Sequence, residues 1–108
     1  MKPQRLWPLF LFSMAAAAAA ATAGITPARQ KELHNLVVQD CGSCHGLTMK
    51  GGLGKPLLPE ELAPFPDEAI AAVILDGVSG TPMPPWRGLI SEAEALWIAR
   101  ELKQGIKQ

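Results

Sequence analysis

Two cysteines and a histidine stand within five consecutive residues, and they are the part of this chain best suited to chemistry. Cys41 and Cys44 are the only cysteines among the 108 residues, and His45 follows the second one directly. Such a group could form a disulfide, a redox-active dithiol, part of a zinc site or the covalent anchor of a bulky prosthetic group. Each alternative places different demands on the rest of the chain.

The surrounding sequence disfavours two of these alternatives. A structural zinc site takes four ligands, and the chain has no second Cys/His pair to complete one. A thioredoxin-like dithiol comes with alternating strands and helices, but no stretch here alternates convincingly with period two. A simple disulfide stays open, because the N-terminus predicts export and exported proteins permit disulfides.

The pattern Cys-x-x-Cys-His is also the attachment signature of c-type haem. Two thiols three residues apart on a helical turn can add to the two vinyl groups of a porphyrin. The imidazole of His45 would then lie beneath the ring plane, where it can ligate the iron. The motif therefore predicts a covalently bound haem, and a disulfide-stapled interaction module is the alternative.

A sixth iron ligand would have to come from a distant part of the chain. Met83 lies in the sequence TPMPPW, where prolines on both sides favour an extended backbone that can hold the thioether outward. A lone methionine can also serve only to fill the core, but the proline frame favours Met83 as a ligand. Met49 is a weaker candidate, because it follows His45 by four residues and so starts on the proximal side.

The elements expected to position these residues are helices separated by loops rich in proline and glycine. Thr26 offers an N-cap and Pro27 a first helical residue, so they predict a helix that runs into Cys41. Residues 46–64 contain many glycines and prolines and predict a long loop. A loop of that length contributes little packing in a small domain unless it wraps around a large apolar group.

Two further helices follow. The second begins at Asp67 and ends before Gly77, with an expected apolar face of Ile70, Val73 and Ile74. Ser91 and Glu94 have the spacing of a capping box and open the third, whose apolar stripe comprises Ala95, Ile98, Ala99 and Leu102. The predicted fold class is therefore all-α, with three main helices and long loops around a haem.

The N-terminus predicts export. Lys2 and Arg5 precede an uncharged run rich in leucine, phenylalanine and alanine, and residues 21–23 (Ala-Thr-Ala) have the small-x-small pattern of a cleavage site. We therefore predict that residues 1–23 are a signal peptide that is removed, and that residues 24–108 form one domain without a membrane span. An uncleaved anchor is the alternative, because the run is close to the shortest length that crosses a membrane.

The charge balance argues against nucleic-acid binding. The chain has ten basic and ten acidic side chains, and two of the basic ones lie in the predicted signal peptide. The remaining domain is slightly acidic, whereas a nucleic-acid-binding protein would need a basic surface. We therefore expect no nucleic-acid partner.

Three parts of the chain together resemble class I cytochrome c. They are the helix ending in CGSCHG, the loop GKPLL, and the segment TPMP followed by a capped final helix. Within that family, the short length and the stretches CGSCHGLTMKGGLGKPL and GTPMPPWRGLISEAEALWIARELK are most similar to cytochrome c-55X, the NirC type of denitrifying bacteria. The resemblance implies that Cys41 and Cys44 form thioethers to one haem c, with His45 and Met83 as the axial iron ligands.

The resemblance also implies roles around the haem. In this family a proline carbonyl accepts a hydrogen bond from the ligating histidine, and we assign that carbonyl to Pro56. Lys55, inserted between Gly54 and Pro56, departs from the family pattern. Leu58 and Trp86 are expected to pack against the haem.

The implied function is electron transfer and not catalysis, because two axial side chains leave no iron position open for a substrate. We expect a monomeric periplasmic one-electron carrier that serves haem-d1 nitrite reductase, either as its electron donor or in maturation of its d1 haem. Lys50, Lys55 and Arg87 are expected near the haem edge, where they could steer an acidic partner. The alternative is a haem-based binding or sensor protein, in which Met83 leaves the iron and a small ligand enters.

Overall fold

The structure is a computed structural model that describes residues 2–5 and 24–107. Most of the predicted signal peptide, residues 1 and 6–23, lies outside the described residues, so its assignment stays a prediction. Within the described residues, no helix combines the length and apolarity needed to cross a bilayer.

The described part of the chain is helical and contains no strand, so the all-α prediction is confirmed. The elements, in chain order, are α1 (Pro27–Leu36), a π-helical segment (Val37–Cys41), α2 (Gly42–His45), α3 (Pro59–Leu62), α4 (Asp67–Asp76) and α5 (Glu92–Gln104).

The first three elements form one continuous helical run that ends in the Cys-x-x-Cys-His motif. It begins as predicted: the Thr26 hydroxyl accepts a hydrogen bond of 3.1 Å from the Arg29 amide, and Pro27 occupies the first turn. The unexpected part is the π-helical segment, where the Gly42 amide donates to the Val37 carbonyl, five residues earlier. Helical spacing alone did not indicate this change of pitch.

The loop predicted for residues 46–64 contains the short helix α3. Pro59 occupies its first turn, and Leu62 is buried against the core. A helix of one turn is too short to show helical periodicity in the sequence, and its stability comes from packing, here of Leu62. Residues 46–58 and 77–91 are the two long loops of the described domain.

Helix α4 has the predicted ends but a different buried face. It spans Asp67–Asp76, and Gly77 follows with a φ of +66°, a left-handed conformation that suits glycine. The predicted face is wrong at Val73, which is 45% exposed. The buried residues are Ala71, Ile74 and Leu75, because this is the side on which α5 packs.

Helix α5 forms the centre of the core. Its capping box has both hydrogen bonds, from the Glu94 amide to the Ser91 hydroxyl (3.1 Å) and from the Ser91 amide to the Glu94 carboxylate (2.9 Å). The predicted stripe is confirmed, because all four of its residues are buried. Helix α5 contacts α4, α3 and α1. Its contact with α1 joins the core to the helical run that carries the cysteines.

Candidate functional site

Cys41, Cys44 and His45 lie at the end of the helical run, where the π-helical segment passes into α2. Both thiols are half-buried and unpaired, so the two cysteines form no disulfide in the structure. Burial raises the pKa of Cys41 to about 11, and the nearby Asp40 carboxylate adds to the shift. The Cys41 thiol is therefore neutral at pH 7, unlike the low-pKa thiolate of a redox-active dithiol.

The side chains of the described residues also do not form a zinc site. No group of three or more His, Cys, Asp or Glu side chains is arranged to hold a metal ion in residues 2–5 and 24–107. Of the four roles that the sequence allowed for these residues, this arrangement best fits the attachment of a large group.

The loop after the motif folds back underneath it. The Gly54 amide donates to the Cys44 carbonyl at 2.7 Å, and the Gly51 amide donates to the His45 carbonyl at 2.8 Å. These two bonds satisfy carbonyl groups that the end of a helix leaves without a partner. They bring residues 51–55 directly against the His45 side chain.

Glycines make this close approach feasible. A Cβ atom on Gly54 would stand 2.6 Å from both Cε1 and Nδ1 of the His45 ring. A Cβ atom on Gly52 would stand 2.7 Å from the Cys44 carbonyl oxygen. Any side chain at either position would force the loop away from the motif, so this part of the loop requires glycine for its shape.

The His45 ring is oriented by one backbone hydrogen bond. Its Nδ1 lies 2.7 Å from the carbonyl oxygen of Lys55. A carbonyl only accepts, so Nδ1 carries the proton and Nε2 keeps a free lone pair. An imidazole held in this tautomer is ready to ligate a metal through Nε2.

The assignment of this carbonyl to Pro56 is wrong by one residue. The acceptor belongs to Lys55, and the Pro56 ring instead packs beside Gly51, whose Cβ would stand 3.3 Å from the Pro56 Cγ. A residue that precedes proline is restricted to extended backbone. Pro56 therefore acts indirectly, because it restricts the residue whose carbonyl contacts His45.

Met83 belongs to a different segment, which is attached to the end of α4. The Trp86 amide donates to the Ile74 carbonyl and the Arg87 amide to the Leu75 carbonyl, both at 3.1 Å. Gly77 lets this segment approach closely, because a Cβ there would stand 2.7 Å from the Met83 carbonyl oxygen. The Met83 side chain is half-buried and is not part of the hydrophobic core.

The other methionine candidate belongs to the core. Met49 is only 2% exposed, and its Cε lies 3.6 Å from where a Cβ on Gly42 would stand. It therefore packs against the helix that carries the motif. Leu58 and Trp86 are half-buried and pack against the same core, and their contact with a haem stays a prediction.

The three basic residues expected near the haem edge differ in their surroundings. Arg87 forms ion pairs with Asp76 at 2.8 Å and with Glu92 at 3.2 Å. Lys50 and Lys55 are exposed and form no ion pair within the described part of the chain. Two of the three basic side chains, and not all three, are therefore outside ion pairs and available to attract an acidic partner.

This arrangement fits a covalently bound haem. Two unpaired thiols lie three residues apart on one helical run, next to an imidazole whose Nε2 is free. A second segment, fixed to α4, supplies a thioether outside the core. These are the donor types that c-type haem uses.

Comparisons with known proteins identify the family. The family model described as cytochrome c oxidase, cbb3-type, subunit III matches residues 28–100. A cytochrome c55X of Pseudomonas aeruginosa PAO1 is 52% identical over 77 residues, which cover 71% of this chain and 65% of the relative. A cytochrome c55X of Paracoccus denitrificans Pd 1222 is 58% identical over 72 residues, which cover 67% of this chain and 70% of the relative.

Solved structures give the same result. The c-type cytochrome NirC has a TM-score of 0.71 and 48% identity, over 73% of this chain and 93% of that chain. The dihydro-haem d1 dehydrogenase NirN, in complex with DHE, has a TM-score of 0.61 and 34% identity, over 68% of this chain but only 16% of that chain. Fold, motif and relatives agree: the chain belongs to the c-type cytochromes, electron-transfer proteins that carry covalently bound haem c, and within them to the cytochrome c55X (NirC-type) family.

Proposed function

We propose that the chain is exported, loses residues 1–23 and works in the periplasm as a one-electron carrier with a single haem c. Cys41 and Cys44 would hold the haem through thioether bonds, and His45 and Met83 would ligate its iron. The observation that carries the proposal is the hydrogen bond of 2.7 Å between His45 Nδ1 and the Lys55 carbonyl. It directs Nε2 for ligation on the same helical run as the two unpaired thiols.

A bound haem supplies a ferrous–ferric couple whose potential rises when a thioether replaces a nitrogen ligand. The chain supplies orientation. The Lys55 carbonyl holds the imidazole tautomer and increases its basicity as a ligand. The backbone contacts of Gly77 and Ile74 hold the Met83 segment. With His45 and Met83 both as ligands, the chain would leave no iron position open for a substrate, and a bound haem would supply electron transfer and not catalysis.

The proposed physiological setting is denitrification, with the haem-d1 nitrite reductase system as partner. Two similarities support it: the NirC structure, and a region of this fold that accounts for 16% of a dihydro-haem d1 dehydrogenase chain. A cytochrome domain is thus part of an enzyme whose substrate is related to the d1 haem. Our chain serves the same system, as an electron donor to the reductase or in maturation of its d1 haem.

The first part of the test asks whether haem is bound covalently. The full chain is produced in a bacterium that matures c-type cytochromes, and the periplasmic protein is analysed by intact mass. We expect the mass of residues 24–108 plus one haem, and a haem peroxidase stain that survives denaturing electrophoresis. A haem-free mass that is two hydrogens lighter than the reduced chain would establish a disulfide and overturn the proposal.

The second part asks which residue is the sixth ligand. Ferric protein should show the near-infrared sulfur-to-iron charge-transfer band, and Met83→Ala should abolish it while His45 ligation remains. The same substitution should lower the potential and let CO bind to ferrous protein. A band that persists in Met83→Ala would assign the ligand to Met49. Ready binding of CO to the wild type would instead favour the haem-based sensor.

A further inference from the structure

The backbone around Met83 forms a hydrogen-bonded ring, residues 78–83. The Val78 amide donates to the Met83 carbonyl at 3.2 Å, which closes the ring. The Val78 carbonyl accepts two bonds from Thr81, one from the amide at 3.2 Å and one from the hydroxyl at 2.8 Å. Thr81, which directly precedes Pro82 and Met83, is thus bonded to the first residue of the ring.

The Thr81 hydroxyl also binds Met83 directly. It accepts a hydrogen bond of 3.3 Å from the Met83 amide. Pro82, Pro84 and Pro85 have no N–H, so the Met83 amide is the only backbone donor in residues 82–85. The single hydrogen-bond donor of this proline-rich segment is therefore taken by one side chain.

The opposite side of the ring is bounded by Gly77. A Cβ atom on Gly77 would stand 2.7 Å from the Met83 carbonyl oxygen and 2.8 Å from the Pro84 carbonyl carbon. Met83 is held through its carbonyl by the Val78 amide, directly after Gly77, and through its amide by the Thr81 hydroxyl. Removal of the hydroxyl would release only the amide side.

We propose that Thr81 is a positioning residue for Met83, because its hydroxyl holds the backbone of the residue whose thioether ligates the iron. This inference rests on the proposed function, since it requires Met83 to be the ligand. The hydroxyl donates to Val78 and accepts from Met83 at the same time. Without it, the Met83 amide would turn to water, and the chain would hold the thioether less firmly for ligation.

Three substitutions separate the hydroxyl from the rest of the side chain. Thr81→Val keeps the branched shape and removes the hydroxyl, whereas Thr81→Ser keeps the hydroxyl and removes a methyl group. Thr48→Val is the matched control, because Thr48 is an exposed threonine in the loop beside His45. Its side chain makes no hydrogen bond within the described residues.

The experiment uses ferric holoprotein with imidazole as the competing ligand. Thr81→Val should bind imidazole about fivefold to tenfold more tightly than the wild type, the factor expected for losing one typical hydrogen bond. Its charge-transfer band should be weaker, and its Met83 amide should exchange faster with solvent in NMR measurements. Thr81→Ser and Thr48→Val should match the wild type in all three measurements.

Two outcomes would overturn the inference alone. One is a Thr81→Val protein with wild-type imidazole affinity and wild-type exchange of the Met83 amide. The other is a Thr81→Ser protein that behaves like Thr81→Val, because the methyl group and not the hydroxyl would then matter. A wild type without the charge-transfer band would overturn Met83 ligation, and the role of Thr81 with it.

Discussion

At the scale of single residues, two neighbours decide how His45 is presented. The Lys55 carbonyl sets which ring nitrogen carries the proton. Gly54 sets how closely the loop can pass, because its missing side chain leaves room for the ring. The two effects are linked, since Lys55 reaches His45 only if Gly54 lies against the imidazole.

Gly54→Ala should therefore disturb the haem ligand directly. The new Cβ would stand 2.6 Å from two ring atoms, so the ring or the loop has to move. We expect a loss of about 1–3 kcal/mol in the free energy of unfolding, which is typical of overpacking. We also expect a smaller yield of holoprotein and a shifted absorption spectrum, because the Lys55 hydrogen bond is lost. Denaturant unfolding and visible spectroscopy of the purified protein measure these effects.

Gly88→Ala is the matched control. A Cβ on Gly88 has no atom within 4 Å, and neither Gly54 nor Gly88 has a positive φ. The same substitution there should leave the spectrum and the yield unchanged. If the Gly54→Ala protein had a wild-type spectrum and stability, the close packing on His45 would not matter for ligation.

At the scale of elements, α5 is tied to α1 by its first turn. Glu94 closes the capping box with Ser91, and its carboxylate also pairs with Arg29 from α1. The hydrogen bond from Arg29 is the main cause that lowers the pKa of Glu94, and the Ser91 amide adds to it. A single carboxylate thus joins the N-terminal helix to the last one.

This lowered pKa makes stability depend on pH. A carboxyl group with a depressed pKa in the folded state stabilises the fold above its unfolded value, about 4.3 for glutamate, and the stabilisation is lost as the pH falls through the folded value. Glu94→Gln keeps a side chain suited to the capping box but removes the charge. At pH 7 it should lower the free energy of unfolding by about 0.5–1 kcal/mol. The difference from the wild type should shrink below about pH 4.

Glu101→Gln on the same helix is the control for this measurement. Glu101 forms no ion pair within the described residues, so its substitution should leave the acid limb of the stability curve unchanged. A Glu94→Gln protein whose unfolding follows the wild type at every pH would show that the pair with Arg29 contributes nothing to stability.

The helix ends were predictable because their signals are local. Thr26, the Ser91–Glu94 box and Gly77 each act within one turn, and the structure has all three where the sequence placed them. The π-helical segment and the exposure of Val73 were not predictable in the same way. The exposure of Val73 depends on which side of α4 packs against α5, and a local pattern does not show that contact. No local residue pattern indicates the change of pitch in the π-helical segment either.

The attachment motif follows a similar division. Its residues could be recognised from their types and spacing, because two thiols and an imidazole have few roles at that spacing. The carbonyl that orients His45 could not be recognised in this way, because its identity depends on the path of the loop. The acceptor is the carbonyl of the inserted Lys55, one residue before the predicted Pro56. The prolines on both sides of Met83 indicated an extended backbone, but the roles of Thr81 and Gly77 could be seen only in the structure.

At the scale of the whole molecule, the loop beside His45 combines charge with exposed apolar surface. Leu47 is 58% exposed and Leu53 is 79% exposed, and Lys50 and Lys55 lie in the same loop without ion pairs. Charges of this kind affect the rate of association, whereas apolar contact holds the complex. We therefore predict that an acidic redox partner docks on this loop.

A double substitution tests this surface. Lys50→Gln with Lys55→Gln should slow electron transfer to haem-d1 nitrite reductase by about tenfold at low salt, with an unchanged haem spectrum. The difference should disappear as salt rises, because the Debye length falls to about 3 Å at 1 M. Stopped-flow measurements over a range of ionic strength follow both effects.

The control removes an ion pair without changing the net charge. Arg87→Gln with Asp76→Asn should leave the rate unchanged, because one positive and one negative charge are removed from the same place and Lys50 and Lys55 are kept. Equal rates for the lysine variant and the wild type at every salt concentration would contradict the docking surface. If neither protein transferred electrons to the reductase, the partner would be wrong and the carrier function would stand.

The π-helical segment limits how this haem-binding motif can be transplanted into another scaffold. Its hydrogen bond from Gly42 to Val37 spans five residues, one more than in an α-helix. A designer who copied the same spacing onto an ideal α-helix would rotate the cysteines by up to about 100° relative to the buried Leu33 and Val37. The segment that would have to be transplanted therefore extends from the Thr26 cap to the Lys55 carbonyl. A graft of the pentapeptide Cys-x-x-Cys-His alone would point its thiols in the wrong direction.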